Sequence, residues 1–344
     1  MPIVVEQGAH ELTADSGTGP RIVGTDVIEI GLVNNMPDAA LESTERQFLQ
    51  LLQMAASALA IRVHLFTLPD VPRSPEGRRY LRQHLGIDEL RHSNIDGLIV
   101  TGTEPRAGSL TEEPYWETLA GVVDWAREHT LSAIWSCLAA HAAVLQLDGI
   151  GRRALDAKRL GMFSCRQLAS HALTTGLPAR FSVAHSRYNE LSDEALASCG
   201  YRILTRSSEA GVDMFVREGD SLFVFFQGHP EYDERTLLRE FRRDIGRFLR
   251  GERDDYPAVR QGYFGEAATP VLARYRGTAQ AQRNDALLAS FPFAELTSSL
   301  LPFSRLPATR IYENWLGYLS ARKIEHRRRQ SPASRIAEPA QSVG

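Results

Sequence analysis

Cysteine is scarce in this chain. Cys137, Cys165 and Cys199 are the only cysteines among 344 residues, and none belongs to a Cys-x-x-Cys pair. Three cysteines cannot all pair with one another, so the spacing gives no disulfide framework. The sequence therefore predicts reduced thiols, a cytoplasmic location and no metal centre.

Long apolar runs and an excess of positive charge are also missing. No window reaches the roughly 18 consecutive apolar residues of a membrane-spanning helix. Residues 1–17 lack the basic and apolar regions of a secretory signal. The formal net charge of −3 gives no reason to expect nucleic acid or an anionic membrane as a partner. With 43% hydrophobic and 24% charged residues, the composition is that of a globular protein.

A change of hydrophobic period lies at Cys137. Residues 131–135 form a short apolar run, and residues 138–147 are alanine-rich with helical spacing. This pattern predicts a turn from strand to helix, where unpaired N–H groups and the helix dipole favour a thiolate. Cys137 is therefore a candidate nucleophile, although a lone cysteine is more often a small buried residue.

A second apolar strand, in residues 221–226, runs into His229, and Glu231 follows two residues later. Nucleophilic cysteine chemistry needs a base close to the sulfur and a third group to orient that base. The ends of parallel strands meet at one edge of a sheet. We therefore expect Cys137, His229 and Glu231 to lie together.

Strand and helix patterns alternate along the first half of the chain. They predict an α/β fold, a parallel twisted sheet with helices on both faces. Residues 149–164 predict an irregular basic segment, and residues 182–190 predict a polar loop. The expected organisation has four parts, which are a flexible arm (1–25), an α/β catalytic domain (26–250), a C-terminal extension packed on that domain (251–322) and a disordered tail (323–344).

Several motifs, in order along residues 27–320, resemble one enzyme family. They are NNMP, DGLIVTG, PYW, WSC, a lysine ahead of Gly161, HSRY, GHPEYD, EFRRD and NWL. Together they resemble the homoserine O-acyltransferases of the succinyltransferase type. These belong to the class I glutamine amidotransferase-like group, whose fold is flavodoxin-like.

The resemblance implies a reaction and a set of roles. Family members transfer an acyl group from acyl-CoA to homoserine in methionine biosynthesis, through an acyl-cysteine. Acyl-CoA is a co-substrate, and no bound cofactor is expected. We further expect a homodimer that acts on small molecules. Residue by residue, the resemblance implies an acylated Cys137, a general base His229, an orienting carboxylate Glu231, and substrate-binding residues Lys158, Ser186, Arg243 and Glu240.

The loop after DGLIVTG departs from the family pattern. Arg106 falls at the position of acyl-donor selectivity, where the family has glutamate with acetyl-CoA and glycine with succinyl-CoA. A guanidinium can bind the distal carboxylate of a succinyl group in a bidentate manner, so Arg106 is a candidate selectivity residue. Pro105 lacks an N–H, so it cannot stabilise an oxyanion.

Other functions stay open at this level. A glutaminase uses the same Cys-His-Glu arrangement, but glycines usually flank its cysteine, whereas Trp135 and Ala139 stand at those positions here. A non-catalytic binding protein is a second alternative, and an acyltransferase acting on serine is a third.

Overall fold

The computed structural model describes residues 3–6, 27–259 and 262–330. Ten strands of the described residues form one sheet. In chain order they are β1 (Val4–Glu6), β2 (Ile28–Val33), β3 (Ile61–Phe66), β4 (Gly97–Val100), β5 (Ser132–Ser136), β6 (Arg153–Gln167), β7 (Arg180–Glu190), β8 (Arg202–Ser207), β9 (Gly211–Arg217) and β10 (Leu222–Phe226).

Helices connect and cover these strands. The α-helices are α1 (Leu41–Ala55), α2 (Pro75–Tyr80), α3 (Ile87–His92), α4 (Trp116–His129), α5 (Leu138–Asp148), α6 (Asp193–Ser198), α7 (Thr236–Leu249), α8 (Ala268–Gln282), α9 (Phe293–Ser298) and α10 (Leu306–Gln330). Short 3-10 turns lie at Asp38–Ala40, Leu81–Gln83, Leu110–Glu112, Ala172–Thr174 and Asp285–Ser290. Within the described residues, no helix has both the length and the apolar character needed to cross a membrane.

The order of strands across the sheet is β1-β3-β2-β4-β5-β10-β9-β8-β6-β7. Neighbours from β1 to β10 run parallel, and those from β10 to β7 run antiparallel. The predicted α/β fold with helices on both faces is confirmed. The antiparallel half of the sheet was not predicted.

Strands β6 and β7 show that two local predictions were wrong. The segment predicted to be irregular includes most of β6, and the segment predicted to be a polar loop lies within β7. Many side chains of both strands are exposed or half-buried, so neither strand contains the continuous apolar run that marks a buried parallel strand. The antiparallel pairing of β6 with β7 makes both segments regular strands, although their hydrophobic pattern does not indicate this.

The central strands bury both of their faces, and alternate residues enter different cores. In β10, Phe223 and Phe225 join the cluster that α4 and α5 cover, whereas Val224 and Phe226 join the cluster that α1 and α10 cover. This alternation is the period of two expected of a strand between two helical layers. A third cluster packs α7 against α8 and α9.

Both chain ends differ from their predicted descriptions. Val4–Glu6 is not part of a flexible arm, because it forms β1 and pairs in parallel with β3. The predicted tail begins too early, because α10 continues to Gln330. Residues 1–2, 7–25 and 331–344, which hold the rest of the predicted arm and tail, lie outside the described residues.

Candidate active site

Cys137 is the single residue between β5 and α5. Its φ of 52° and ψ of −110° lie where residues other than glycine are uncommon. Such strain persists only where surrounding contacts impose it, and it clusters at functional sites. Here the Cys137 N–H donates to the carbonyl oxygen of Phe226 at 2.7 Å, which fixes the turn against the end of β10.

His229 follows β10 in a buried turn. Its backbone N–H donates to the carbonyl oxygen of Ala184 at 2.8 Å, and its ring stacks on Tyr232 with 4.1 Å between ring centroids. Nδ1 lies 2.8 Å from Oε1 of Glu231. Both side chains are almost fully buried. The carboxylate therefore holds the imidazole in one orientation.

The pairing of β5 with β10 brings Cys137 and His229 to one edge of the sheet. These strands are parallel, and their last residues, Ser136 and Phe226, are register partners. Cys137 and His229 each follow one of these strand ends. They line the same cavity, as the sequence predicted from the geometry of parallel sheets.

The cavity has a volume of about 210 Å³ and opens at this edge of the sheet. Polar and charged groups from several elements line it together with apolar residues. Its lining consists of Met36, Pro37, Thr101, Gly102, Thr103, Glu104, Pro105, Ser136, Cys137, Leu138, His141, Arg152, Lys158, Ser186, Arg187, Tyr188, Asn189, His229, Glu231, Tyr232, Glu240 and Arg243.

All four predicted substrate-binding residues line this cavity. Lys158 and Ser186 come from β6 and β7, and Glu240 and Arg243 lie on α7. Nζ of Lys158 is 2.6 Å from Oδ2 of Asp244 and 3.9 Å from Oε2 of Glu240. A carboxylate and a guanidinium three residues apart on one helix thus face the cavity.

One glutamate oxygen on this wall is available to a ligand. Oε1 of Glu240 accepts a hydrogen bond from the Tyr232 hydroxyl at 2.8 Å. Oε2 is buried and makes no hydrogen bond to any part of the chain that the structure describes. Because Tyr232 also stacks on His229, this wall is in contact with the predicted general base.

Positive charge surrounds the sulfur. Burial opposes protonation of His229, but the charges of Glu231 and then Cys137 outweigh it and raise the pKa of His229 well above its ordinary value. Burial, followed by the charge of Arg159, lowers the pKa of Arg187 to about 10, so this guanidinium is still cationic at neutral pH. Two cationic side chains, those of His229 and Arg187, therefore line the cavity together with the sulfur of Cys137.

Comparison with known proteins assigns this chain to a family. The family model described as homoserine O-succinyltransferase matches residues 23–326. The chain belongs to the homoserine O-succinyltransferase family.

Individual relatives agree with this family. A homoserine O-succinyltransferase from Rhodopseudomonas palustris is 49% identical over 297 residues, which cover 86% of this chain and 89% of the relative. One from Bradyrhizobium japonicum is 48% identical over 295 residues, covering 85% and 90%. A solved glutamine amido transferase from Methylobacillus flagellatus has a TM-score of 0.46 and 14% identity, covering 85% of this chain and 95% of that one.

One predicted site residue of this homoserine O-succinyltransferase family member, Arg106, does not line the cavity. Arg106 is exposed and is absent from the cavity lining, whereas the preceding Glu104 and Pro105 contribute to it. Glu104 forms an ion pair with Arg247 at 2.6 Å. The backbone N–H groups of Arg106 and Ala107 donate to Oε1 of Glu113, which holds this loop.

Other cavity residues were not predicted from the sequence. Arg187 follows a predicted site residue, but β7 had been interpreted as a loop. Arg152 belongs to the segment that was predicted to be irregular and basic. His141 lies one turn after Cys137, and burial, together with the charge of Arg187, lowers its pKa to about 3, so its ring is neutral. For Arg152 and Arg187, the sequence signal that could have indicated a site is a charged residue between apolar runs.

A buried polar cluster lies beside the cavity. One ligand atom each from Cys165, His185 and Asp213 lies within 4.8 Å of the others. Nε2 of His185 is 3.4 Å from Oδ1 of Asp213, and Oδ2 of Asp213 accepts a hydrogen bond from Thr205 at 2.8 Å. Asp213 is therefore part of a polar network beneath the turn that carries His229.

Proposed function

We propose that this chain transfers a succinyl group from succinyl-CoA to the hydroxyl of homoserine, through an acyl-cysteine at Cys137, in methionine biosynthesis. Family membership over most of the chain supports the overall reaction. The observation that carries the mechanism is the shared cavity of Cys137 and a His229 that Glu231 orients.

The first half-reaction forms the acyl-enzyme. The Cys137 thiolate attacks the thioester carbonyl of succinyl-CoA, and the carbon–sulfur bond to CoA breaks. The departing CoA thiolate takes a proton from the His229 imidazolium. This leaves a neutral imidazole beside a Cys137 thioester, so the base is in the correct state for the second half-reaction.

The second half-reaction transfers the acyl group. Neutral His229 removes the proton from the homoserine hydroxyl as that oxygen attacks the acyl-cysteine. The bond from the acyl carbon to Cys137 then breaks, and the thiolate and the imidazolium are restored. The two half-reactions share one site, so a ping-pong scheme follows.

Backbone N–H groups at the start of α5 are the proposed oxyanion donors. The Leu138 N–H belongs to the first turn of α5, where a helix provides no internal partner. A Cβ on Gly102 would lie 3.0 Å from this nitrogen, so glycine keeps the space beside it open. Pro105 is not needed as a donor in this arrangement.

The acceptor amino acid has two complementary groups on α7. Arg243 suits its carboxylate, and Oε2 of Glu240, which makes no hydrogen bond within the described residues, suits its ammonium group. Lys158 and Ser186 complete this side of the cavity. Serine carries the same two charged groups, so it is the proper comparator for homoserine in an assay.

The compartment and the assembly are further parts of the proposal. The three cysteines are free thiols, as expected of a protein in the reducing cytoplasm. We propose a homodimer, and sedimentation velocity at micromolar concentration would give its mass.

Intact-mass measurement after mixing with succinyl-CoA tests the proposed chemistry. We expect one added succinyl group, its loss in Cys137→Ala, and its release as O-succinylhomoserine when homoserine is added. Cys199→Ala is the matched control and should keep the adduct, because Cys199 is not part of the cavity lining.

The same samples separate the alternatives. Hydrolysis of glutamine without any acyl adduct would contradict the proposal and favour a glutaminase. Faster release by serine than by homoserine would contradict the assigned acceptor. The absence of both an adduct and glutamine hydrolysis would favour a binding protein.

A further inference from the structure

Arg152 stands at the beginning of the strand that carries Lys158. Gly149 ends α5 in the left-handed conformation, with φ of 69°, and Arg152 directly precedes β6. This turn directs Arg152 into the lining of the cavity that contains Cys137. Within the described residues, the buried Nη1 of Arg152 makes no hydrogen bond.

A guanidinium that lines a cavity without an ion-pair partner is expected to bind an anionic ligand. Buried polar groups nearly always have a hydrogen-bond partner, and a partly desolvated guanidinium without one is unfavourable. Oε1 of the neighbouring acid, Glu113, accepts from two backbone N–H groups, and its Oε2 makes no hydrogen bond within the described residues. Glu113 and Arg152 form no ion pair. The cavity of the free enzyme thus contains a guanidinium group available to a ligand.

The substrates of the proposed reaction carry three kinds of anionic group, which are the acceptor carboxylate, the phosphates of CoA and the distal carboxylate of the succinyl group. The first has another partner in the cavity, and the second lies far from the thioester. The acceptor carboxylate has Arg243, which lines the same cavity as Glu240, the residue that suits the ammonium group. The phosphates of CoA are separated from the thioester by the long pantetheine arm. The distal carboxylate of a succinyl group is only two methylenes from the carbon that Cys137 attacks.

We propose that Arg152 binds the distal carboxylate of the succinyl group and thereby selects a dicarboxylic acyl donor. This inference rests on the proposed function. A planar guanidinium that shares the cavity with the nucleophile can bind that carboxylate through two parallel hydrogen bonds. The exposed Arg106 is then a loop residue and not the selectivity residue.

The test compares succinyl-CoA with butyryl-CoA, an uncharged donor of the same chain length. We expect wild-type enzyme to prefer succinyl-CoA. In Arg152→Gln, the ratio of kcat/KM for succinyl-CoA to kcat/KM for butyryl-CoA should fall by about 100-fold, as expected for loss of a buried charged partner. The KM for homoserine should be unchanged. Arg152→Lys should recover part of the ratio.

Two variants serve as controls. Arg153→Gln removes the adjacent arginine, whose side chain is 63% exposed and paired with Glu190, and it should keep the wild-type ratio. Arg106→Gln should also keep it. A loss of the ratio in Arg106→Gln but not in Arg152→Gln would overturn the proposal in favour of the loop residue.

Further outcomes separate this inference from the function on which it rests. Equal losses for both donors in Arg152→Gln would mean a structural role for Arg152 and would overturn the subsite alone. A raised KM for homoserine with an unchanged donor ratio would assign Arg152 to the acceptor and overturn it as well. Failure of wild-type enzyme to form an acyl-cysteine would instead overturn the proposed function. If Arg152→Gln does not fold, an equal rate of wild-type acylation by succinyl-CoA and butyryl-CoA would still overturn the subsite.

Discussion

Asp213 on β9 has a buried carboxyl group beneath the turn that carries His229. Only 2% of the residue is exposed. Burial raises its pKa to about 6, and the Thr205 hydroxyl and the charge of Arg187 offset this only in part. A folded-state pKa above the unfolded value of 3.8 means that the folded protein holds this proton more tightly. The resulting stabilisation is present at low pH and is lost as the pH rises through about 6.

This pKa predicts a pH dependence of stability. Between pH 5 and pH 7.5, the unfolding free energy of wild-type protein should fall by about 1.4 kcal/mol relative to Asp213→Asn, because asparagine has no proton to lose. Urea unfolding at the two pH values measures it. Asp254→Asn, at a fully exposed position, should show no such difference. An equal difference in both variants would rule out Asp213 as the source.

At the residue scale, the prediction from sequence succeeded where a chemical group ends an apolar strand. Cys137 and His229 stand at such ends, so their meeting in one cavity could be predicted. Arg152 is adjacent in sequence to the exposed Arg153, and only the turn that follows Gly149 brings Arg152 to the cavity lining. The roles of these residues in the reaction remain predictions.

The loop after β4 is the element that shapes the site around the nucleophile. Gly102 approaches the first turn of α5 so closely that a Cβ would lie 2.9 Å from Cβ of Leu138 and 3.3 Å from the carbonyl oxygen of Ser136. The same loop is tied to α7 through Glu104 and Arg247. It therefore forms one wall of the cavity and spaces that wall from the helix start.

Gly102→Ala should impair chemistry more than folding. An added methyl group must shift the loop or the Leu138 N–H, and loss of one oxyanion donor costs about 100-fold in kcat. Overpacking should lower the unfolding free energy by about 1–3 kcal/mol. Single-turnover acylation and urea unfolding measure the two effects. Gly108→Ala in the same loop, where an added Cβ meets nothing within 4 Å, should leave both unchanged. Unimpaired acylation in Gly102→Ala would argue against Leu138 as a donor.

At the element scale, the buried parallel strands could be predicted and the antiparallel ones could not. The residues of β4, β5 and β10 are buried throughout, so each strand reads as an apolar run. The long strands β6 and β7 expose part of their surface and carry charged residues, which resemble a loop when their pairing is unknown. Ser186 therefore lines the cavity from a strand, whereas the sequence predicted a loop at this position.

Helix α10 packs into the core of the sheet. It comes from the end of the described chain, yet Tyr312, Trp315 and Leu319 belong to the same core as β2, β3 and β10. Nε1 of Trp315 donates to Oγ of Ser132 in β5 at 2.9 Å. Strand β5, which ends directly before Cys137, therefore packs against α10, a helix more than 170 residues later in the sequence.

Truncating Trp315 should destabilise the catalytic core. Trp315→Ala removes a side chain that is only 1% exposed, and we expect a loss of about 3–5 kcal/mol in unfolding free energy. Chemical unfolding followed by circular dichroism should show one transition at lower denaturant. Ile324→Ala on the same helix, at a position 47% exposed, should cost less than about 0.5 kcal/mol. A separate early transition for α10 in the tryptophan variant would contradict a single cooperative core.

The pairing of Ser136 with Phe226 has a consequence for how active molecules are counted. A slip of one residue between these strands would turn every following side chain to the opposite face. A misaligned molecule could then be compact and helical while its sulfur and imidazole point apart. Regained turnover after dilution from denaturant thus reports the fraction of chains with correctly aligned strands, which a measurement of helix content alone would overestimate.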